Sequence, residues 1–298
     1  MINVRKGKIK VGNEIQPFLR WAGGKRWLAP YLVPIIQSRL KGAYREPFLG
    51  GGAIFFSLNP DRASLSDIND DLINTYKVVR KYPHKIIRFL KQLSVDEVTY
   101  TNIRSTEERG IIRKAVRFLY LNRTCYGGLF RTNREGKFNV PYGGGSRTPE
   151  PLWRDNLIKK ASKALNKRDI RLGTCDFEEN INNSISGDVV YCDPTYRAHS
   201  RDQFDRYGPT IFAWNDQIRL AKAAKLAFER GSLVIISNTC SPEINGLYNE
   251  SYNFELNRNK RIGKKSLSEK NGKEYIIIMD PERRYQDWQG IPGFKKTI

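Results

Sequence analysis

The chain has 298 residues, 39% hydrophobic and 11% aromatic, which is enough for a packed core and sets disorder aside. Lys plus Arg reach 52 against 31 Asp plus Glu, a formal +21, so a polyanionic partner such as nucleic acid is favoured over a merely soluble basic surface. The longest apolar runs, "LVII" at 233–236 and "YIIIM" at 275–279, are strand-sized and no apolar signal region follows the basic start, so a soluble cytoplasmic protein without a membrane is expected. Cys125, Cys175, Cys192 and Cys240 form no CxxC pair, and with only His84 and His199 beside them no metal-ligand spacing exists. Free thiols and no metal are the expectation.

In chain order, an arm "FLRWAGGKR" (18–26) comes first. "AYREPFLGGG" (43–52) reads as a strand ending in glycines, and "AIFFSL" (53–58) as a short helix. "ASLSD" (63–67) reads as a second strand, and "NDDLINTYKVVRKY" (69–82) as a helix with acidic residues at its start. That is a βαβ opening. From 83 to 121 the pattern is helical, clearest in "PHKIIRFLKQL" and "GIIRKAVRFLYLN"; from 122 to 150 it is loop- and hairpin-like. Strands resume at 170–175, 188–192 and 232–237, with a helix at 215–230. "YNFELNRNKRIG" and "KEYIIIMD" then read as a hairpin across a basic loop. Alternating strands and helices imply an α/β fold with a mostly parallel sheet, interrupted at roughly 70–160 by an inserted small domain.

Three stretches have the residue types of a site. In "EPFLGGGA" (46–53) glycines after a strand let backbone amides approach a ligand, and Asp67 closes the next strand seventeen positions after Gly50. A tight turn explains the glycines alone; with the acid, a nucleoside-containing ligand is favoured. The spacing is neither GxGxxG nor GK[ST], which speaks against an NAD-dependent oxidoreductase and a diphosphate-cradling NTPase loop. In the arm, Trp21 and Lys25 flank a Gly-Gly bend; they either pack on the core and face water, or set a ring and an ammonium over a ligand. In "GDVVYCDPTYR" (187–197) an Asp-Pro turn is one account. The other is a site in which the Asp193 carboxylate and the Pro194 carbonyl act as acceptors and Tyr196 adds a flat face. That set suits an exocyclic amine on a planar base.

These stretches occur in order with "LSDINDDLI", "FLYLNRTCYGGLFRTNREGKFNVPYGG", "CDFEE" and "LVIISN", and together they resemble the Dam-type (class alpha, D12) site-specific DNA adenine-N6 methyltransferases, which use S-adenosylmethionine. The resemblance implies a Rossmann-like S-adenosylmethionine-dependent methyltransferase sheet with an inserted, mainly helical target-recognition domain. The parts would be 1–69 and 161–298 for the methyltransferase domain and 70–160 for the insertion. It places Trp21, Lys25, Phe48, Gly50, Asp67, Asp176, Phe177 and Asp193 at the cofactor, and Asp193, Pro194 and Tyr196 in the catalytic motif. The implied reaction moves a methyl group to the N6 amine of an adenine flipped out of a specific duplex sequence.

DNA engagement is expected from the hairpin, through Arg123, Tyr126, Arg131, Asn133, Arg134 and Lys137, with Phe130, Phe138, Tyr142 and Arg147 interleaved. A solvated basic hairpin with buried aromatics is the plainer alternative for any one of them. Dam-type members read GATC with this hairpin, and members differ at the tip, here Asn133-Arg134-Glu135. The basic loop Arg258–Lys273 either touches the DNA backbone or is merely solvated. Thr195 stands where the family usually has a second proline; the acceptor pair survives and rigidity falls, so retained but slower methylation is expected. The rival functions are an RNA-adenine or protein-glutamine methyltransferase and a non-catalytic DNA-binding module of the same fold. A cognate restriction endonuclease is the conceivable partner besides double-stranded DNA.

Overall fold

The computed structural model describes residues 15–133, 135–145, 152–194, 212–248, 251–258, 272–284, 286–289 and 295–296. Eight strands form one sheet: β1 Tyr44–Glu46, β2 Arg62–Asp67, β3 Asp169–Thr174, β4 Val189–Cys192, β5 Leu233–Thr239, β6 Tyr252–Arg258, β7 Gly272–Met279 and β8 Lys295–Lys296. Their order is β3-β2-β1-β4-β5-β7-β6-β8. The first five are parallel, and β7, β6 and β8 join antiparallel. This is the Rossmann-like order with an antiparallel hairpin at one edge, as the α/β expectation required.

Side-chain alternation divides the core into two layers. On β4 and β5, Val189, Tyr191, Leu233 and Ile235 face one layer, while Val190, Cys192, Val234 and Ile236 face the other. Both faces are covered, so these strands are apolar throughout rather than alternating. Fully burying each such aliphatic side chain contributes about 1.5–3 kcal/mol. The first layer is roofed by α1 Ala29–Arg39, α2 Ala53–Leu58, α3 Asp70–Lys81, α4 Pro83–Lys91, α5 Glu97–Ser105, α6 Ile111–Thr124 and α7 Asp155–Leu165, whose buried residues join the same continuous apolar cluster. The second is covered by α8 Phe177–Asn182, α9 Trp214–Glu229 and α10 Pro242–Gly246. A short α11, Gln286–Gln289, follows the hairpin.

The ends of these elements follow local chemistry. Asn69 caps α3 by accepting from Leu72 N at 3.0 Å, Asp70 and Asp71 sit in its first turn, and Arg80 and Lys81 in its last. Asp96 caps α5 and Asp176 caps α8 in the same way. In α1, Pro30 stands in the first turn, where no N–H is needed, while Pro34 lies inside the helix. The first strand is shorter than "AYREPFLGGG" suggests: pairing stops at Glu46, and 47–52 become a loop at the sheet's carboxyl edge. The C-terminal hairpin pairs Tyr252 with Ile278 through Arg258 with Gly272, as expected.

Candidate active site

Strands β1 and β4 are neighbours, and their carboxyl ends mark the point where strand order reverses, the usual ligand crevice of an open α/β sheet. A cleft of about 810 Å³ opens there. Trp21, Lys25, Phe48, Gly50, Asp67, Asp176, Phe177, Asp193 and Pro194 all line it, so these sequence candidates converge on one place.

The loop after β1 is pinned from two sides. Asp67 accepts from Gly50 N at 2.9 Å and from Asn69 N at 3.0 Å, and Tyr76 donates its hydroxyl proton to Gly50 O at 3.0 Å. Burial pushes the Asp67 carboxyl up, and the amide donors oppose that shift. Gly50 holds φ +46, and a Cβ there would lie 2.8 Å from the Trp21 ring. The glycine is therefore required by the indole that packs on it, besides any ligand.

Trp21 and Lys25 are presented by a turn closed by Gly24 N donating to Trp21 O at 3.2 Å, with Gly23 at φ +78 as the turn needs. The turn sends the Lys25 side chain inward, where it is 2% exposed. Its ammonium lies 2.8 Å from Asp193 Oδ1 and 3.8 Å from Glu274 Oε2, and it donates to Gly23 O at 3.1 Å. A carboxylate has about four lone-pair sites, so the Lys25 pair does not by itself exhaust the acceptor capacity of Asp193.

Glu46, at the end of β1 and 2% exposed, also borders the cleft. It accepts from Tyr44 Oη at 2.9 Å and from Phe55 N at 3.1 Å. Burial, reinforced by the Asp193 and Asp67 charges, pushes its carboxyl up to about 8 against those two donors. At the far wall Phe48 stacks on Phe177, centroids 5.3 Å apart, and Phe212 meets Phe48 edge-on at 5.6 Å. The Arg219 guanidinium lies 4.8 Å over Phe177 and pairs with Asp176 at 2.8 Å, Glu178 at 2.7 Å and Asp216 at 2.9 Å. Those carboxylates hold it charged.

Arg123 is not where a phosphate-binding side chain would be. It is 4% exposed at the inner end of α6 and donates to Phe18 O. Burial, with the nearby Arg154 and Arg20 charges, lowers its guanidinium to about 9. Next to it Asn122 accepts from Arg20 N at 2.9 Å and donates to Arg20 O at 2.6 Å. Together they fasten the arm to α6. Arg20, Arg26 and Arg154 also line the cleft and are exposed.

The hairpin after α6 is closed by bridges Cys125–Tyr142 and Thr132–Phe138. Tyr126 is 63% exposed, and Arg131 is exposed with Nε donating to Asn139 Oδ1 at 2.8 Å. The Asn133 side chain accepts from the amides of Glu135 and Lys137 and shapes the tip, while Lys137 pairs with Glu135 at 3.3 Å. Arg134, Thr195 and Tyr196 and most of the basic loop Arg258–Lys273 lie outside the described residues. Glu46, Phe212, Arg219, Arg20 and Arg154 were not singled out in sequence. Glu46 had a usable signal, an acid on an apolar strand directly before the glycine loop; Arg219 is recognisable only in three dimensions. Among the described residues no group of three His, Cys, Asp or Glu side chains fits a metal, and no helix is long and apolar enough to cross a membrane.

A family model for the D12 class N6 adenine-specific DNA methyltransferases matches residues 21–263. The type II methyltransferase M1.LlaDCHI of Lactococcus lactis subsp. cremoris is 34% identical over 284 residues, covering 92% of this chain and 97% of its own length. The type II methyltransferase M.MjaIII of Methanocaldococcus jannaschii is 34% identical, covering 90% and 99%. The DNA adenine methylase of Escherichia coli K12 is 36% identical over 231 residues, covering 74% and 80%.

Proposed function

The chain belongs to the D12 class N6 adenine-specific DNA methyltransferase family, and from that premise we propose that its cleft takes S-adenosylmethionine beside an adenine turned out of duplex DNA. The donor set fits this cofactor. The Phe48–Phe177–Phe212 wall offers faces and edges for a purine, and Asp67 stands where ribose hydroxyls need an acceptor. The loop 47–52, with no Cβ at Gly50 to Gly52, gives backbone access for an amino-acid tail, while Asp193 supplies a carboxylate for its cationic groups. When bound, S-adenosylmethionine supplies a sulfonium-activated methyl group.

The chain's own residues then act on the nucleophile. The adenine amine is weak because its lone pair is delocalised into the ring. Asp193 accepts one N6 proton and the Pro194 carbonyl accepts the other, which favours a pyramidal nitrogen with its lone pair free for in-line attack. Lys25 holds the Asp193 carboxylate in place through its 2.8 Å pair. The proton lost from nitrogen passes toward Asp193 and on to solvent. Tyr196, two residues after Pro194 in the motif, stacks on the everted base.

On the DNA side, Tyr126, Arg131, Asn133, Arg134 and Lys137 of the hairpin, within the target-recognition part 70–160, engage the duplex. Arg20 and Arg154 take phosphates in place of Arg123. GATC is the first sequence to test. The name "type II methyltransferase" borne by two relatives supports a cognate restriction endonuclease as partner in the cytoplasm.

The observation that supports this most is the 2.8 Å pair of Lys25 with Asp193, which joins a cofactor candidate to the catalytic candidate in one cleft. Tritiated methyl transfer to duplex DNA, RNA and bulk protein tests it. Duplex DNA should take the label at adenine N6, and Asp193→Ala should lower the rate at least a thousandfold. Label in RNA or protein alone, or an Asp193→Ala enzyme at full speed, removes the proposal. Mapping N6-methyladenine in a methylation-free host reads the target sequence.

A further inference from the structure

The Trp21 indole is held between two parts of the protein that the reaction must bring into step. One side packs on the glycine loop, so close that a Cβ on Gly50 would lie 2.8 Å from the ring and one on Gly51 would lie 3.0 Å from the Trp21 Cβ. Phe130 of the hairpin also stacks on the indole, centroids 5.6 Å apart and planes 21° apart, with Phe118 of α6 beside it at 6.4 Å and 22°. Phe130 also meets Phe118 at 5.3 Å and Phe138, across the hairpin, at 5.7 Å. It does not line the cleft.

In an extended segment neighbouring side chains face opposite ways. Leu129 is 37% exposed and Arg131 is exposed, whereas Phe130 between them is half-buried against Trp21. A duplex that grips Arg131 therefore pulls on the residue whose neighbour seats the indole. The clamp of Asn122 on both backbone groups of Arg20 keeps the arm on α6, so hairpin, helix and arm form one packed unit around the ring.

We propose that Phe130 is a positioning residue which, through Trp21, sets the glycine loop for the methyl donor and couples donor affinity to DNA engagement at the hairpin. This rests on the cofactor reading of the cleft. Linkage makes the coupling reciprocal: DNA tightens the donor by the factor by which the donor tightens DNA.

The test is calorimetric titration of S-adenosylhomocysteine, which cannot react, with and without sheared genomic DNA from a host lacking adenine methylation. The wild type, Phe130→Ala, Phe130→Leu and Phe130→Tyr are compared, with circular dichroism and melting as the check on folding. Wild-type affinity should rise about fivefold or more with DNA, within the usual range of coupling between sites. Loss of the ring should weaken affinity without DNA by roughly three- to tenfold, the size of one aromatic pair, and bring the DNA effect close to one. Phe130→Leu keeps apolar volume without the planar face and should behave like Phe130→Ala; Phe130→Tyr should restore both numbers. Leu at wild-type affinity with wild-type coupling overturns the role of Phe130, and so does a wild type whose affinity ignores DNA. A wild type with no measurable affinity overturns the cofactor reading instead, which separates the two failures.

Discussion

At the scale of single residues, Glu46 makes a prediction by its protonation. Its folded carboxyl is raised from the ordinary 4.5 to about 8, so its neutral form suits the fold. The associated stability is fully present below 4.5 and is lost as pH rises through about 8. Glu46→Gln keeps an oxygen for Tyr44 Oη and Phe55 N and cannot ionise. Its stability relative to wild type should therefore grow from near zero at pH 4 to roughly 3–5 kcal/mol at pH 9, read by urea unfolding at both ends. An unchanged difference across that range would contradict a neutral Glu46. Of the nine candidates that border the cleft, Trp21, Lys25, Gly50, Asp67, Asp193 and Pro194 were legible in short blocks with their own chemistry, whereas Phe48, Asp176 and Phe177 came only from the family resemblance. Arg123 was misread because it sits among exposed arginines and tyrosines in the sequence. Its register told otherwise: Val116, Leu119 and Arg123 recur at helical spacing, and the first two are buried, so the third points inward too.

At the scale of elements, strands β2 to β5 and the helices over 70–81 and 214–229 follow from apolar periodicity and caps, and the structure places them within a residue or two of the sequence reading. The β1 strand was overextended because glycines after an apolar run give no sign of where pairing stops; that is decided by β2 and β4 alongside. The short helix over 177–182 was likewise hidden, since Phe177 and Ile181 are the only apolar residues in its six. The joint between arm and α6 could not be inferred locally either, because its partners are 102 positions apart. It is nonetheless testable. Asn122→Ala removes both bonds to Arg20 and should cost about 1–3 kcal/mol of unfolding free energy. It should also weaken S-adenosylhomocysteine binding severalfold, because Trp21 and Lys25 lose their anchorage. Melting together with calorimetry checks this, and full affinity in the variant would show that the arm seats itself.

At the scale of the whole molecule, the excess of +21 charges should make DNA affinity steeply dependent on salt. If the protein neutralises six or more phosphates, affinity should fall by about a thousandfold between 50 and 200 mM salt, with a linear log–log plot. A flat plot would assign the charge to solvation instead. The adjacency of β1 and β4 has a further consequence, for biogenesis. Ala43 donates to Asp188 at 2.7 Å across 145 positions. A ribosome adding about 5–20 residues per second needs on the order of ten to thirty seconds to traverse that interval. During that time the nascent β1 edge lacks one of its two permanent neighbours, and pulse-labelled chains stalled before residue 188 should be retained by holdase chaperones, whereas chains released after the final hairpin should not.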